Sequence, residues 1–280
     1  MISPATAPLP ERGTPAALFM RRLLAIAQRH VFLYMGSWPR FIETLFWPML
    51  NMLMLGFVSL YLLRQYSNAT LIASVFVAGA ILNEVLLRTT MGMMVMFLEE
   101  IWSRNLGHLF SSPLGLPDFM AAMMGFTFVK SLVSVAPAVI VAMYLFDFSL
   151  FGLGWPALVY SILLIMSGWW SGLLVISLLL RFGIAAEWMA WMSSWLVVPL
   201  IAPYYPVEIL PVWLQPVSWA LPATYVFESM KSLIGQGELR GNYLLWAFLL
   251  NILYFAGASL VFCRAYHGAR RRGGLLQVGE

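Results

Sequence analysis

Charge is scarce in this sequence, and cysteine is almost missing: 10% of the 280 residues are charged and one, Cys263, is a cysteine. Soluble domains carry about a quarter charged residues, so so low a value argues against a water-soluble fold. A lone cysteine excludes an intramolecular disulfide and a multi-cysteine zinc site. His30, His108 and His267 are far apart in sequence, near the polar edges of the apolar runs, and read as surface residues and not as a metal-ligand set. The chain also lacks G-x-x-x-x-G-K-[ST], H-E-x-x-H and G-x-S-x-G. No polar interval exceeds about 40 residues, too short to fold a nucleotide-binding domain. The chain therefore reads as no enzyme in itself, with no metal and no cofactor of its own, and any energy source has to come from another chain. Its first residues, MISPATAPLPERGTP, show no apolar core beside a basic start, so no cleavable signal peptide is expected.

What the sequence has instead is apolar length. It is 61% hydrophobic with a mean hydropathy of +0.84. A bilayer core of about 30 Å needs roughly 20 apolar residues per helical crossing. Such runs lie at 41–63, 71–97, 118–146, 155–181, 186–204 and 243–265. They are long and continuous, not short and alternating, which excludes an outer-membrane barrel. The expected fold is an all-α integral membrane protein with six transmembrane helices in one domain, 41–265. A cytoplasmic N-terminal part, 1–40, precedes it and a basic tail, 266–280, follows.

The net charge of +4 is placed in a way that disfavours nucleic acid as a partner. Arg12, Arg21, Arg22, Arg29 and Arg40 precede the first run, and Arg264, Arg270, Arg271 and Arg272 end or follow the last. By the positive-inside rule both termini face the cytoplasm, which needs an even number of crossings. The segment PAALFMRRLLAIAQRHV, 15–31, gathers Phe19, Met20, Leu23, Leu24, Ile26 and Val31 on one helical face and Arg21, Arg22, Gln28 and Arg29 on the other. It reads as an interfacial helix on membrane lipids.

Few polar residues lie deep. Glu84 and Arg88 are spaced i,i+4 in the second run beside Asn83, and Lys130 lies within the third. Intramembrane charges are costly and either pair or serve a function. Glu84 and Arg88 therefore read equally as a structural pair or a substrate contact, and Lys130 as steering an anionic headgroup or completing a polar network. GWWSG, 168–172, is a G-x-x-x-G that lets helices approach closely. Trp47, Trp169, Trp170, Tyr204 and Tyr205 suit stacking or lipid contact along a pathway. The proline-punctuated interval 205–235 is too apolar for a hydrated linker and reads as outer re-entrant helices. Pro206, Glu208, Pro211, Trp213 and Trp219 are its candidate gate residues.

The stretch FLEEIWSRNLGHLFSSPLGL, 97–116, interrupts the apolar runs with an amphipathic pattern. As a helix over 99–113 it sets Trp102, Leu106, Leu109 and Phe110 against Glu100, Arg104, Gly107, His108 and Ser111, and Pro113 ends it. Such an element suits docking into a partner's groove, and equally a plain interfacial helix.

With its continuation to PDF, this stretch resembles the signature of ABC type-2 exporter permeases, in which acidic residues end the second span and lead into a coupling helix closing with SPL. The resemblance extends over the basic N-terminal helix, the six spans and the proline-rich outer segment. It implies a homodimer bound to two copies of a separate cytosolic ATPase subunit that holds ATP and magnesium, in a bacterial inner membrane. By the same resemblance Glu99, Glu100, Trp102, Arg104, Asn105, Leu109 and Phe110 form the coupling element, and the cargo is a lipid-linked glycan, a lipid or an amphiphilic molecule. Two rivals remain: an ion-driven transporter or channel using Glu84, Arg88 and Lys130, and a membrane-embedded transferase acting on lipid-linked sugars.

Overall fold

A computed structural model describes residues 15–65, 70–103, 106 and 115–271. The described chain is helical, with α1 Pro15–Met35, α2 Trp38–Gln65, α3 Thr70–Trp102, α4 Leu116–Leu145, α5 Trp155–Phe182, α6 Glu187–Ile201, α7 Gln215–Ala220, α8 Pro222–Gln236 and α9 Gly241–Arg271. Short 3-10 turns occupy Leu150–Leu153, Ile184–Ala186 and Val207–Ile209. Five of these helices, α2, α3, α4, α5 and α9, are long and apolar enough to cross a membrane. The expected all-α, multi-pass membrane character is borne out. The fifth apolar run is shorter as a helix than its sequence suggested: α6 has 15 residues, about 22 Å of rise.

At the centre lie α3 and α5, each 67% buried over its apolar window, while the windows of α2, α4 and α9 are 17–28% buried and form the outer ring. Lipid tails are as apolar as leucine, so close packing and polar links must hold such helices together. The two central helices meet at Gly168 and Gly172. A Cβ at Gly168 would stand 2.5 Å from the Thr89 Cβ, and one at Gly172 2.6 Å from the Met93 Cβ. The G-x-x-x-G motif thus joins α5 to α3. Thr89 and Thr90 sit at this contact without an unmet donor, because their hydroxyls donate back to the carbonyls of Val85 (2.8 Å) and Leu86 (3.0 Å).

Two apolar clusters stack along α3. One surrounds Val77–Leu86 with α4, α5 and α8, the other surrounds Met93–Ile101 with α5 and α9. Between α5 and α9 a polar bolt replaces apolar packing. Asn251 accepts from Ser167 Oγ and Trp170 Nε1, both at 2.9 Å, and donates to the Leu163 carbonyl at 3.1 Å.

Prolines inside α2, α4 and α6 (Pro48, Pro137 and Pro199) each remove one helical hydrogen bond. At Pro48 the deficit is met from a neighbour: the carbonyl of Thr44, four residues back, accepts Ser134 Oγ of α4 at 2.6 Å.

Candidate functional site

Two linked features meet on one face of α3. At its C-terminal end Glu99 and Glu100 are 8% and 1% exposed. Carboxylates so buried need partners, and α1 with the start of α2 supplies them. Arg29 Nη1 lies 2.8 Å from Glu100 Oε1, and Arg40 Nη1 3.4 Å from Glu99 Oε1. His30 contradicts its reading as a surface residue. It is 1% exposed, with Nδ1 3.6 Å from Glu99 and Nε2 3.6 Å from Glu100. Its two nitrogens face different carboxylates and do not converge on a common point, and no metal-binding cluster occurs among the described residues.

The same helix α1 holds the other end of the connection that follows α3. Arg22 Nη1 bonds Asp118 Oδ2 at 2.9 Å, and that oxygen also accepts the Gly115 N–H at the start of α4. Both ends of 103–115 are therefore tied to α1. The side of α1 carrying Arg22, Arg29 and His30 packs on protein, while Phe19, Met20, Leu24, Val31 and Phe32 are exposed.

The second feature is a cavity of about 540 Å³ between α1, α2, α3, α4 and α6. Arg88, Met91, Gly92, Val95, Glu99 and Trp102 line it from α3, and the recurrence 88, 91/92, 95, 99, 102 keeps them on one face. Arg40, Glu43, Thr44 and Trp47 come from α2, Lys130 and Ser134 from α4, and Trp188, Trp191 and Trp195 from α6. Within its wall Arg88 Nε bonds Glu84 Oε2 at 2.8 Å, and Asn51 Nδ2 bonds Glu84 Oε1 at 2.7 Å. Glu84 itself, 1% exposed, stands behind Arg88 with both oxygens engaged. Lys130 Nζ donates to the Tyr34 hydroxyl and lies over its ring, 4.4 Å from the centroid. Burial, reinforced by Glu99, pushes the Tyr34 phenol well above its usual range, so it stays neutral.

No protein-family model matches this chain, and no curated protein matches it either.

Of the residues singled out in the sequence, Trp47, Arg88, Glu99, Trp102 and Lys130 meet at the cavity. Trp170 lines a separate apolar cavity of about 170 Å³ and is bonded to Asn251, while Trp169 packs in the core with a buried, unpartnered Nε1. Tyr204 stacks on Phe76 and meets Asn83 at 3.4 Å, and the Tyr205 hydroxyl donates to the Pro199 carbonyl at 2.7 Å. Arg104, Asn105, Leu109 and Phe110, and the rest of the expected helix 99–113 beyond Ser103 apart from Leu106, lie outside the described residues. Sequence reading missed Tyr34, Arg40 and the three tryptophans of α6. Those tryptophans had a signal, since 188, 191 and 195 share one helical face.

Opposite the α1 end, about 30 Å along α3, the interval after α6 is knotted. Ala202 ends α6 at φ 47°, and Gly79 makes room for it: a Cβ there would stand 2.5 Å from the Pro203 carbonyl oxygen. Lys231 Nζ donates to the carbonyls of Ala202 (2.8 Å) and Tyr205 (2.6 Å) and to Glu228 Oε1 (2.7 Å), which also accepts the Val207 N–H at 3.0 Å. Burial lowers the proton affinity of Lys231, and Glu228 opposes that shift. Beyond the knot Pro206, Glu208, Pro211 and Trp213 are exposed, and Trp219 packs edge-on against Tyr225 and Tyr243. Lys231→Met is expected to cost roughly 1.5–3 kcal/mol, the range for hydrogen bonds to a charged group. It should open 203–214 to limited proteolysis before the transmembrane helices unfold; cleavage no faster than in the wild type would show that the lysine does not hold this interval.

Proposed function

We propose that this chain is the membrane-spanning permease subunit of an ATP-driven exporter of the ABC type-2 class. It works as a homodimer with two copies of a separate ATP-hydrolysing subunit in a bacterial inner membrane, with both termini cytoplasmic. The cargo is a lipid-linked glycan, a lipid or an amphiphilic molecule. The observation that carries this reading is the grip of α1 on both ends of 103–115, through Arg29–Glu100 and Arg22–Asp118. A push on that connection from a cytosolic partner cannot be absorbed locally. It moves α1, α3 and α4 together, as a rigid-body transition requires.

The helix α3 then carries the push inward. From Glu100 to Glu84 it is unbroken, about 24 Å of rise, and its cavity face moves with its end. Because α3 runs through Glu99 and Glu100 to Trp102, the coupling helix expected over 99–113 begins in this reading only beyond Trp102, while α1 lies in the cytoplasmic interface and α7 and α8 are outer re-entrant helices. With the 3-10 turn before it, α6 extends about 28 Å and forms the sixth crossing. The ion-driven alternative has less support, because a carboxylate whose two oxygens are both engaged is poorly placed to exchange protons.

The test is reconstitution with the partner ATPase. The double variant Glu99→Gln/Glu100→Gln keeps the side-chain volumes and removes the charges that α1 grips. Cargo-dependent ATP turnover should fall about ten-fold, equivalent to 1.4 kcal/mol of coupling, with membrane insertion unchanged. Unchanged turnover, or cargo movement by this chain with no ATPase present, would overturn the proposal.

A further inference from the structure

The cavity holds three cations, and their partners differ. Arg88 is paired with Glu84, and Arg40 with Glu99. Among the described residues Lys130 has no carboxylate within ion-pair distance. Its partner is the Tyr34 hydroxyl, which is neutral and brings no negative charge, and Glu99 and Glu43 act on it only from beyond ion-pair distance. Glu43 is the remaining acid on the wall, and it is exposed. A charge within a membrane-spanning helix is normally paired, so the ammonium without a carboxylate partner is where an anion gains most. Around it stand Trp47, Trp102, Trp188, Trp191 and Trp195, from three helices. Indoles offer an apolar face and one N–H donor, a combination that favours the boundary between headgroup and acyl chain. The volume, about 540 Å³, falls in the range of small-ligand sites.

We infer that this cavity binds the phosphate ester of an anionic amphiphile, with the phosphate on Lys130 and the adjoining apolar part against the tryptophan wall. Lysine meets phosphate as a point charge and needs no bidentate geometry. Of the two roles the sequence allowed for Lys130, this inference takes the anionic headgroup. It rests on the export reading only for the claim that the bound molecule is cargo; the binding itself does not.

The experiment therefore uses the purified chain alone, in non-ionic detergent, with tryptophan fluorescence as the readout. The probes are dihexanoyl phosphatidylglycerol, dihexanoyl phosphatidylcholine and free glycerol phosphate. Phosphatidylglycerol should bind saturably, about ten-fold more tightly than phosphatidylcholine, whose choline cation offsets the phosphate charge and meets the wall's cations, and more tightly than glycerol phosphate, which lacks the acyl chains that the tryptophan wall would hold. Lys130→Gln should abolish the preference while eluting as the wild-type protein does, Lys130→Arg should retain it, and Glu43→Gln should strengthen binding. Equal affinity for the anionic and zwitterionic lipids, or an undiminished preference in Lys130→Gln, would overturn the inference. Glycerol phosphate binding as tightly as the lipid would assign the site to a soluble phosphate and overturn the amphiphile. Failure of ATPase coupling with this preference intact would sink the export reading alone.

Discussion

Glu84→Ala is expected to remove a large share of the protein's stability. The Glu84 carboxylate is 1% exposed and satisfies both Arg88 and Asn51, so its loss leaves a guanidinium without its carboxylate inside the bundle and takes one partner from the Asn51 amide. Removing one member of a buried ion pair costs about 3–5 kcal/mol, and folded proteins have only about 5–15 kcal/mol to lose. Thermal unfolding in detergent should show a much lower midpoint and a lower yield. A double replacement, Glu84→Leu with Arg88→Met, should recover most of the loss, because replacing a buried pair by apolar groups of similar volume is often neutral. A single variant as stable as the wild type, or a double variant no better than the single, would show that the pair is not what joins these helices. Arg88→Met alone strands the buried Glu84 carboxylate in its turn, so it should also destabilise the protein.

The second large effect concerns the contact between the two central helices. Gly168→Ala places a methyl 2.5 Å from the Thr89 Cβ and 3.2 Å from the Leu86 carbonyl oxygen. Backbone and Cβ atoms cannot swing away as a side-chain tip does, so α5 and α3 must separate. Overpacking of this kind costs about 1–3 kcal/mol. Gly172→Ala meets the Met93 Cβ at 2.6 Å in the same way, and the two together should exceed either alone. The control separates this cause from a general loss of helix packing: Thr89→Gly should relieve Gly168→Ala, whereas Thr89→Ala, which keeps the Cβ, should not. Equal behaviour of the two rescues would refute the steric explanation.

The long helices were legible in the sequence because hydropathy over about 20 residues is a property of the segment itself. The runs at 41–63 and 155–181 became α2 and α5 with ends shifted by at most three residues, while 71–97 became α3 with its end five residues further on, at Trp102, so that Glu99 and Glu100 belong to the spanning helix. Spacing along one helix also read through: Glu84–Arg88 forms, and G-x-x-x-G marks the close approach of α3 and α5. What could not be read is which residue on another helix completes each pair. Asn51 for Glu84, Arg22 for Asp118, Tyr34 for Lys130 and Asn251 for Trp170 depend on the rotation of each helix about its axis, which packing alone sets. His30 shows the limit most plainly. Its position in a basic amphipathic segment suggested solvent, yet that face of α1 turns toward the protein. The shortness of α6 was hidden for a different reason, since hydropathy continues through 202–204 while Ala202 at φ 47° ends the helix.

The bond from Ser134 to the Thr44 carbonyl carries a mechanical consequence. The proline at 48 has taken one rung out of α2, and the rung's vacant oxygen is where α4 fastens. The place at which α2 is softest is thus also the place at which it is tethered to the helix bearing Lys130. Any flexing of the tryptophan-lined chamber's outer wall must therefore drag the ammonium with it, so the chamber's width and the position of its charge change as one.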